Sequence, residues 1–456
     1  MRHFRPLRRC LCLTAAFFFA AQPVAWAWSG HALCTWDAVG TMPQVAGHSV
    51  PAEALTTFLA MEAAALPKVL DEEEQWARAN VPFYAPRPDA LAFKAADGAE
   101  PAALKQAFVH AIRVNEDVPF ALYLQRQPGT VAAAGREMTW SALSILKDAG
   151  DIDQKRIERV EEGEALSVAD VIATATDEPD FGLDIGLFQD NGQKQGALYN
   201  FGPQPFGNPL LDYGSQAPFH MGFYHEAGIL YKAAPFLQHT YPEARVHLYM
   251  TLSRFAFAQG HPYWGWRFAG WAAHYVQDMA QPYHARVLPG VGTVSMLWTS
   301  VLDKVGVHGP RIAALNRVTN RHTALENYQK NRMTAALAQG DKDDPLVAAL
   351  RDTSGDATVQ RLQPTTLRDV SSVQSVAAAD ALDAQVERSF PARYVSDAAT
   401  NLDGKDADLY ALSRQATAAE QAKLAGLVAD RMRQVGRDTR AVIRAVAPDG
   451  TEAAQR

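Results

Sequence analysis

Apolar positions along the chain recur mostly at intervals of three or four residues, which is the spacing of one face of an α-helix. Segments with this spacing predict helices over 52–66, 104–114, 140–146, 167–175, 245–259, 264–281 and 416–446. The strict alternation of apolar and polar residues that is typical of a half-buried strand is scarce. The pattern therefore predicts an all-α, multi-helix protein.

Three stretches interrupt the predicted helices. Residues 82–101 contain four prolines and are predicted to be irregular, and residues 340–365 are predicted to be a linker into a C-terminal helical annex. Residues 182–218 contain seven glycines, and a stretch of this length without regular structure is usually functional or disordered. Its aromatic residues favour a folded lip, and they are Phe188, Tyr199, Phe201, Phe206 and Tyr213.

The first 27 residues have the features of a secretory signal peptide. A basic start with four arginines and no acid precedes an apolar stretch over 11–21, and Ala25-Trp26-Ala27 follows as a small-residue cleavage site. The apolar stretch is too short to span a bilayer as a helix. We expect cleavage after Ala27 and export to the periplasm or the extracellular space.

The composition is that of a folded protein, because 48% of the residues are hydrophobic and 20% are charged. Removal of the predicted signal peptide takes away four arginines and no acid, so the formal charge moves from −7 to −11. Such a charge argues against non-specific, charge-driven binding of nucleic acid. Cys34 is the only cysteine after residue 27, so an intramolecular disulfide is excluded and a metal is the usual substitute.

The thirteen histidines include three that are followed by a carboxylate four residues later. This spacing places both side chains on one helix face, within reach of one metal ion. The pairs are His239/Glu243, His274/Asp278 and His322/Glu326. Pro242 interrupts the first pair, which is therefore set aside. The second pair lies in an apolar, aromatic-rich helix, where an unpaired carboxylate would be costly.

His274 and Asp278 belong to the longer motif H-Y-V-Q-D-M-A-Q-P-Y-H, which ends at His284. Pro282 disfavours a helical conformation at Gln281, so the chain is expected to turn there. The turn can direct His284 into the same cleft from outside the helix. Two ligands on a rigid helix and a third just beyond its end predict a metal site.

Cleavage after Ala27 would make Trp28 the first residue of the mature chain. Its free α-amine and its carbonyl oxygen can form a five-membered chelate with a metal, which His31 can complete. The amine exists only after cleavage, so export would create this part of the site. An alternative interpretation is that Trp28 is simply an aromatic anchor of the N-terminus.

Together these features resemble the zinc-dependent phospholipase C and single-strand-specific nuclease superfamily. Members of that superfamily are all-α, secreted, begin with tryptophan at the mature terminus and hold three zinc ions. The matching segments are Trp28 with His31, the H-x-x-x-D-x-x-x-P-x-H motif over 274–284, and H-T-A-L-E over 322–326. They occur in the superfamily's order between residue 28 and about residue 330.

The resemblance implies a domain organisation. The signal peptide over 1–27 precedes a catalytic domain over 28–338, and residues 339–456 form a linker and a C-terminal helical annex packed on the same domain. The intervals between the predicted ligands are longer than is usual in the superfamily. The catalytic domain is therefore expected to carry insertions at about 50–165 and 182–218.

The resemblance also implies the ligands of two neighbouring zinc ions. Trp28 and His31 would hold one ion together with Asp278. Asp278 would bridge to a second ion, which His274 also binds. Two further ligands, an aspartate and a histidine, are expected between the first helix and the central motif.

Asp180 and His220 are the residues chosen for these two ligands. The superfamily's aspartate often follows a proline or a small residue, as in E-P-D-F-G-L-D here, so Asp180 is preferred over Asp177 and Asp184. Asp180 is also the expected catalytic residue, which would orient or deprotonate the attacking water. In P-F-H-M-G-F-Y-H, His220 is preferred over His225.

His284, His322 and Glu326 would hold the third zinc ion. Phospholipase-type members usually carry glutamate at the last of these positions and the nucleases usually carry aspartate, so Glu326 favours phospholipase C-like hydrolysis of phospholipid phosphodiesters. A single-strand-specific nuclease with 3′-nucleotidase activity is the alternative. The third hypothesis is a non-catalytic, zinc-stabilised lipid-binding protein, although purely structural zinc sites favour cysteine ligands.

The partners implied are a phospholipid or another phosphodiester, with single-stranded nucleic acid as the alternative. The aromatic residues of 182–218 and the G-H-P-Y-W-G-W segment over 260–266 suit contact with an acyl chain or a membrane surface. They would also suit stacking on unpaired bases. No obligate protein partner is evident.

Overall fold

The computed structural model describes residues 30–95, 98–150, 152–399 and 407–448. It is 60% helical and 3% strand, which confirms the predicted all-α fold class. The eighteen α-helices of these residues are α1 (His31–Val39), α2 (Leu55–Glu62), α3 (Leu66–Asn80), α4 (Pro101–Ile112), α5 (Val168–Asp177), α6 (Lys194–Tyr199), α7 (Asp212–His220), α8 (Gly228–Ala233), α9 (Pro242–Gln259), α10 (Pro262–Asp278), α11 (Pro282–Ala285), α12 (Thr293–Lys304), α13 (Gly309–Gln339), α14 (Pro345–Arg351), α15 (Ser372–Ser389), α16 (Ala392–Val395), α17 (Leu409–Ser413) and α18 (Ala418–Val446).

Two short antiparallel ribbons contain the strands of the described ranges. They pair β1 (Ser49–Pro51) with β4 (Ala165–Ser167), and β2 (Tyr123–Gln125) with β3 (Ile157–Arg159). Val50 lies opposite Leu166 in the first ribbon, and Leu124 lies opposite Glu158 in the second. The first ribbon ties together the ends of the segment over 50–165 that was expected to be an insertion, and the second lies within that segment.

The long predicted helices are correct, but the short helix predicted over 140–146 is wrong. Helices α9, α10 and α18 lie within one turn of their predicted bounds. The segment 140–146 forms only a 3-10 turn over Trp140–Ala142. The predicted linker over 340–365 contains α14, which packs against α18 and buries Leu346 and Leu350. Asp344 caps α14 by accepting a hydrogen bond from the backbone N–H of Leu346.

The aromatic residues that were expected to form a lip are mostly in the core. Phe188 and Tyr199 are fully buried, and Phe201 and Phe206 are buried as well, whereas Tyr213 is half-buried. The tryptophans of the 260–266 segment are also buried. A surface role for these buried side chains is therefore wrong, because packing against other rings already covers them.

Helix α10 is the centre of the fold. It packs against α5, α9 and α18, and Trp264, Trp271 and His274 along it are fully buried. The helix begins with Pro262 in its first turn, where the missing N–H is tolerated. It ends before Pro282, and this ending positions the residues of the motif described below.

The C-terminal helix α18 packs against α1, α10 and α14. At its contact with α10, the side-chain amide of Gln277 donates a hydrogen bond to the hydroxyl of Thr439 over 3.1 Å. The division into a catalytic domain and an annex stays a prediction. None of the helices in the described ranges has the length and hydropathy needed to cross a membrane.

Candidate metal centre

The motif around α10 has the geometry that its sequence predicts. His274 and Asp278 lie one turn apart at the end of α10, and both are fully buried. Gln281 is extended with ψ of 119°, and Pro282 starts the short helix α11 that carries His284. Nδ1 of His284 lies 3.4 Å from Oδ1 of Asp278, so the turn brings the third residue back to the first two.

Three groups of side chains in the described ranges could each hold a metal ion. Within each group the potential ligand atoms lie within 4.8 Å of one another. The groups are His31, Asp180 and His274; His220, His274 and Asp278; and His284, His322 and Glu326. Eight of the nine residues predicted as ligands are therefore brought together, and the ninth, Trp28, lies outside the described residues.

Of the three aspartates considered from the sequence, Asp180 lies at this centre. Its carboxylate oxygens lie 3.8 Å from Nε2 of His31 and 3.8 Å from Nδ1 of His220. Asp177 instead accepts a hydrogen bond from the backbone N–H of Ala32. Asp184 lies beside Nε2 of His220, whereas Nδ1 of His220 faces Asp278. The ligand role of Asp180 stays a prediction, but its position agrees with that role.

Of the two histidines considered, only His220 lies at the centre. It is the last residue of α7, it is buried, and its Nδ1 lies 2.9 Å from Oδ2 of Asp278. His225 is exposed and its ring hydrogen-bonds to the carbonyl of Arg368 and the hydroxyl of Ser372. His225 is therefore excluded from the groups described here.

Two of the histidines are oriented by partners outside the centre. Nδ1 of His31 donates to the side-chain oxygen of Gln277 over 2.9 Å, and Nδ1 of His274 donates to the carbonyl of Thr176 over 2.7 Å. A neutral imidazole with its proton on Nδ1 directs the lone pair of Nε2 into the centre. Metal-binding histidines are commonly held in this way.

His284 and His220 also have orienting partners, although His220 is held through Nε2 instead of Nδ1. Nδ1 of His284 donates to the backbone carbonyl of His220 over 2.8 Å. Nε2 of His220 lies 3.4 Å from a carboxylate oxygen of Asp184, which also pairs with Arg245 over 2.7 Å. Sequence reasoning missed these orienting residues. Gln277 alone had a local signal, since it directly precedes Asp278 in the motif.

Several atoms of the centre that can bind a metal lie close to one another. Nε2 of His284 lies 3.1 Å from Nε2 of His322. Nε2 of His31 and Oδ1 of Asp278 are buried, lie 3.5 Å apart, and have no hydrogen-bond partner in the part of the chain that the structure describes. Orphaned buried acceptors are costly, and a bound cation would satisfy them. The residues present therefore fit a metal ion.

Burial sets the protonation of several groups at the centre. It lowers the pKa of His274 well below its usual value and lowers the pKa of His322 to about 3. These imidazoles are therefore unprotonated at neutral pH, as metal ligands must be. Burial also raises the pKa of Asp180 well above its usual range and raises the pKa of Glu326 to about 7.

His220 behaves differently from the other histidines. Burial opposes its protonation, but hydrogen bonds to Asp184 and Asp278 outweigh that effect and raise its pKa to about 10. Burial likewise opposes ionisation of Asp278, but the neighbouring His284 and His274 hold the pKa of its carboxyl below the usual range. A cation bound beside His220 would therefore replace a proton.

Two cavities border the centre. An apolar cavity of about 250 Å³ is lined by residues such as Phe206, Phe223 and Leu288, and it reaches His284 and His322. A second, more polar cavity of about 650 Å³ borders Asp180 and is lined in part by Asp177, Arg156, Lys330 and Asn327. The centre thus lies between an apolar compartment and a polar one.

Comparisons with protein-family models, with curated proteins and with solved structures find no match for this chain.

Proposed function

We propose that the protein is an exported, zinc-dependent phosphoric diester hydrolase that acts on phospholipids in the manner of a phospholipase C. The observation that carries the proposal is the convergence of three His/Asp/Glu groups between an apolar and a polar cavity. The groups contain no cysteine, whereas purely structural zinc sites favour thiolates. Three ions are expected, one for each group, with Trp28 as the predicted additional ligand.

Two of the three ions would share a ligand, because Asp278 is predicted to bridge them. His31 would hold one of these two ions and His274 would hold the other, and Asp180 and His220 are the further ligands predicted for this pair. The remaining group, on α11 and α13, would hold the third. Bound zinc supplies a Lewis acid for phosphoryl oxygens and lowers the pKa of water to near neutrality.

Asp180 is the carboxylate best placed to handle the proton of the attacking water. Its side chain is 15% exposed and borders the polar cavity, whereas the side chain of Asp278 is fully buried. The side-chain amide of Gln216 donates a hydrogen bond to Oδ1 of Asp180 over 3.1 Å and so holds this carboxylate. A carboxylate that solvent can reach can orient a water molecule and accept its proton, which Asp278 cannot do from its enclosed position.

The two cavities favour a phospholipid over other phosphodiesters. The apolar cavity ends at His284 and His322 and can take the apolar part of a substrate. The polar cavity beside Asp180, with Arg156 and Lys330, can take a polar head group. Glu326 agrees with this choice. The products would be diacylglycerol and a phosphorylated head group.

A single-strand-specific nuclease with 3′-nucleotidase activity is the second candidate. The observation in its favour is the half-buried ring of Tyr213, which borders both cavities. A tyrosine at such a place can stack on an unpaired base. A non-catalytic, zinc-stabilised lipid-binding protein is the third candidate, and the following experiment separates all three.

The experiment uses the mature chain from Trp28 onward. Zinc per chain is measured by elemental analysis, and hydrolysis is measured with a chromogenic phosphodiester, with phosphatidylcholine vesicles and with single-stranded DNA. We expect three zinc ions, and turnover of the chromogenic substrate and the vesicles. Preferred cleavage of DNA would favour the nuclease, and a fully metallated protein without any turnover would contradict both enzymes.

Asp278→Asn is the variant that tests the centre within this experiment. Because Asp278 is fully buried among the histidines, we expect loss of at least one zinc ion and a decrease in turnover of at least about a hundredfold. Asp89→Asn is the matched control, since the carboxylate of Asp89 is fully exposed. Unchanged zinc content and turnover in Asp278→Asn would contradict the proposal.

A further inference from the structure

Helix α12 carries an apolar stripe that faces solvent. Val294, Trp298, Val301 and Val305 are spaced by four, three and four residues, so they lie on one face of the helix and the turn that follows it. Val294 is 81% exposed, Trp298 is 62% exposed and Val305 is 70% exposed. Single exposed apolar residues are ordinary, but a contiguous stripe of this kind indicates an interaction surface.

The other side of α12 belongs to the apolar cavity. Met296, Thr299 and Ser300 line this cavity together with His284 and His322. Helix α12 therefore separates the exposed stripe from the compartment that ends at the candidate metal centre. Because the cavity side of α12 is already enclosed by the protein, the apolar stripe on its outer side indicates that another apolar phase covers it.

The neighbouring helix α8 extends the same surface. It contacts α12, and its residue Ile229 is 56% exposed. The next residue, Leu230, is buried and lines the apolar cavity. Both helices thus show apolar side chains to the outside and to the cavity.

The segment that carries the stripe is basic in sequence, whereas the whole chain is acidic, although Arg286 pairs with Asp380 and Arg321 pairs with Asp383. The formal charge of the chain is −7, but residues 286–325 contain five basic side chains and one acidic side chain. The acid, Asp303, is buried and pairs with His308 and Arg311. Exposed cations remain on α12 and on the two helices that contact it, and they are Lys304 on α12, Lys232 on α8 and Arg317 on α13.

We propose that the stripe on α12 docks the protein on the surface of an anionic phospholipid bilayer. Valines would enter the acyl boundary, Trp298 would lie at the interface, and the exposed cations would contact anionic head groups. The delivery of a lipid from the docked surface into the cavity towards His284 rests on the proposed function. The docking itself rests on the surface alone.

A bilayer fits this surface better than a second copy of the chain does. A symmetric dimer through α12 would bring two sets of exposed cations together, and like charges oppose such contact. An anionic bilayer places opposite charge beside Lys232, Lys304 and Arg317, and it also covers the apolar stripe. The anionic head groups of the bilayer therefore match the exposed cations, and its acyl chains match the apolar stripe.

The test compares two double variants of the mature protein. Val294→Ser/Trp298→Ser removes the centre of the stripe, and Met61→Ser/Val131→Ser removes two apolar residues that are similarly exposed elsewhere, at 67% and 62%. Binding is measured by co-sedimentation with sucrose-loaded vesicles of equal parts phosphatidylglycerol and phosphatidylcholine. Hydrolysis of the vesicle lipid and of a soluble chromogenic phosphodiester is measured in parallel.

We expect the stripe variant to partition onto vesicles at least about tenfold more weakly than the wild type, because it loses two large apolar contacts. Its turnover of vesicle lipid should fall in parallel, and its turnover of the soluble diester should be unchanged. The control variant should match the wild type in all three measurements. Binding of the wild type should also weaken with salt, since part of it is electrostatic.

Equal vesicle binding by the stripe variant and the wild type would overturn the docking proposal while leaving the proposed function intact. A shift of the stripe variant from dimer to monomer in light scattering, without a change in vesicle binding, would also overturn the docking proposal. It would assign the stripe to self-association. Stripe-dependent vesicle binding by a protein that hydrolyses no diester would support docking and contradict the proposed function instead.

Discussion

Nε2 of His274 lies 3.0 Å from Nδ1 of His220 in the buried centre. Nδ1 of His274 already donates to the carbonyl of Thr176, so its Nε2 is an acceptor that points at a second ring. A comparable pair is formed by His284 and His322. Two such pairs in a core are stabilised when a cation lies between the nitrogen lone pairs.

Removal of zinc is therefore expected to destabilise the whole protein. A chelator in excess should lower the midpoint of thermal unfolding, and added zinc should restore it. If zinc is present at a thousandfold excess over its dissociation constant, the stabilisation is about 4 kcal/mol per site. Differential scanning calorimetry of treated and zinc-reloaded protein measures this effect. The same melting temperature with and without chelator would argue against a metal at this centre.

Asp184→Asn is expected to weaken zinc binding without removing a ligand. Asp184 is fully buried, pairs with Arg245 and accepts a hydrogen bond from Tyr275, and this fixed carboxylate holds Nε2 of His220. Loss of such an orienting partner typically lowers metal affinity 10–100-fold. Competition with a chromophoric chelator measures the affinity. Tyr275→Phe is the control, since it keeps the carboxylate and should have a smaller effect.

Asp177→Ala is expected to destabilise the start of α1, which carries His31. The residue before this helix is Gly30, which has no side chain for capping, and Asp177 accepts the backbone N–H of Ala32 over 3.1 Å instead. Its other oxygen accepts from Gln125 over 2.8 Å. Leaving these buried donors unsatisfied costs about 1–3 kcal/mol of the free energy of unfolding.

Asp177→Asn retains one acceptor oxygen and should lose less stability than Asp177→Ala. Urea denaturation of the two variants and the wild type, with and without zinc, measures the difference. If both variants unfold at the wild-type urea concentration, Asp177 does not hold α1.

Glu243→Gln is expected to change how stability depends on pH. Burial raises the pKa of Glu243 from 4.5 to about 7, although Arg368 lies 3.4 Å away. Between these two values the folded state binds more protons than the unfolded state, so this residue makes stability fall as the pH rises. The glutamine variant lacks that slope and should be about 1–3 kcal/mol more stable than the wild type at pH 8.

Urea denaturation at pH 5, 6, 7 and 8 measures this difference. Glu72→Gln serves as the control, because the side chain of Glu72 is 64% exposed. Parallel stability profiles for Glu243→Gln and the wild type would contradict the prediction.

The parts of the site that are local in sequence could be predicted from it. His274 and Asp278 share a helix face, and Pro282 forces the turn that returns His284, so both features follow from helix geometry and proline chemistry. The contacts of Asp184 and Thr176 could not be predicted, because they join distant segments and no spacing reveals them.

The prediction that the aromatic residues of 182–218 and 260–266 serve a surface contact was wrong for most of them, for a related reason. Phe188 and Trp264 look like a membrane-facing set, but composition does not distinguish a packed ring from an exposed one, and both are buried. Conversely, Val294, Trp298 and Val301 have the spacing of a core-facing helix, and the structure leaves them in solvent. Only tertiary packing decides which apolar faces find a partner.

The side chain of Gln277 on α10 forms hydrogen bonds with residues of both α1 and α18. Its oxygen accepts from His31, and its nitrogen donates to Thr35 and to Thr439 on the last long helix. During synthesis His31 emerges long before Thr439, so the amide of Gln277 can complete its set of bonds only after Thr439 has left the ribosome. We therefore expect the orientation of His31 to be completed late in biogenesis, because Gln277, which holds it, is itself held by the last long helix.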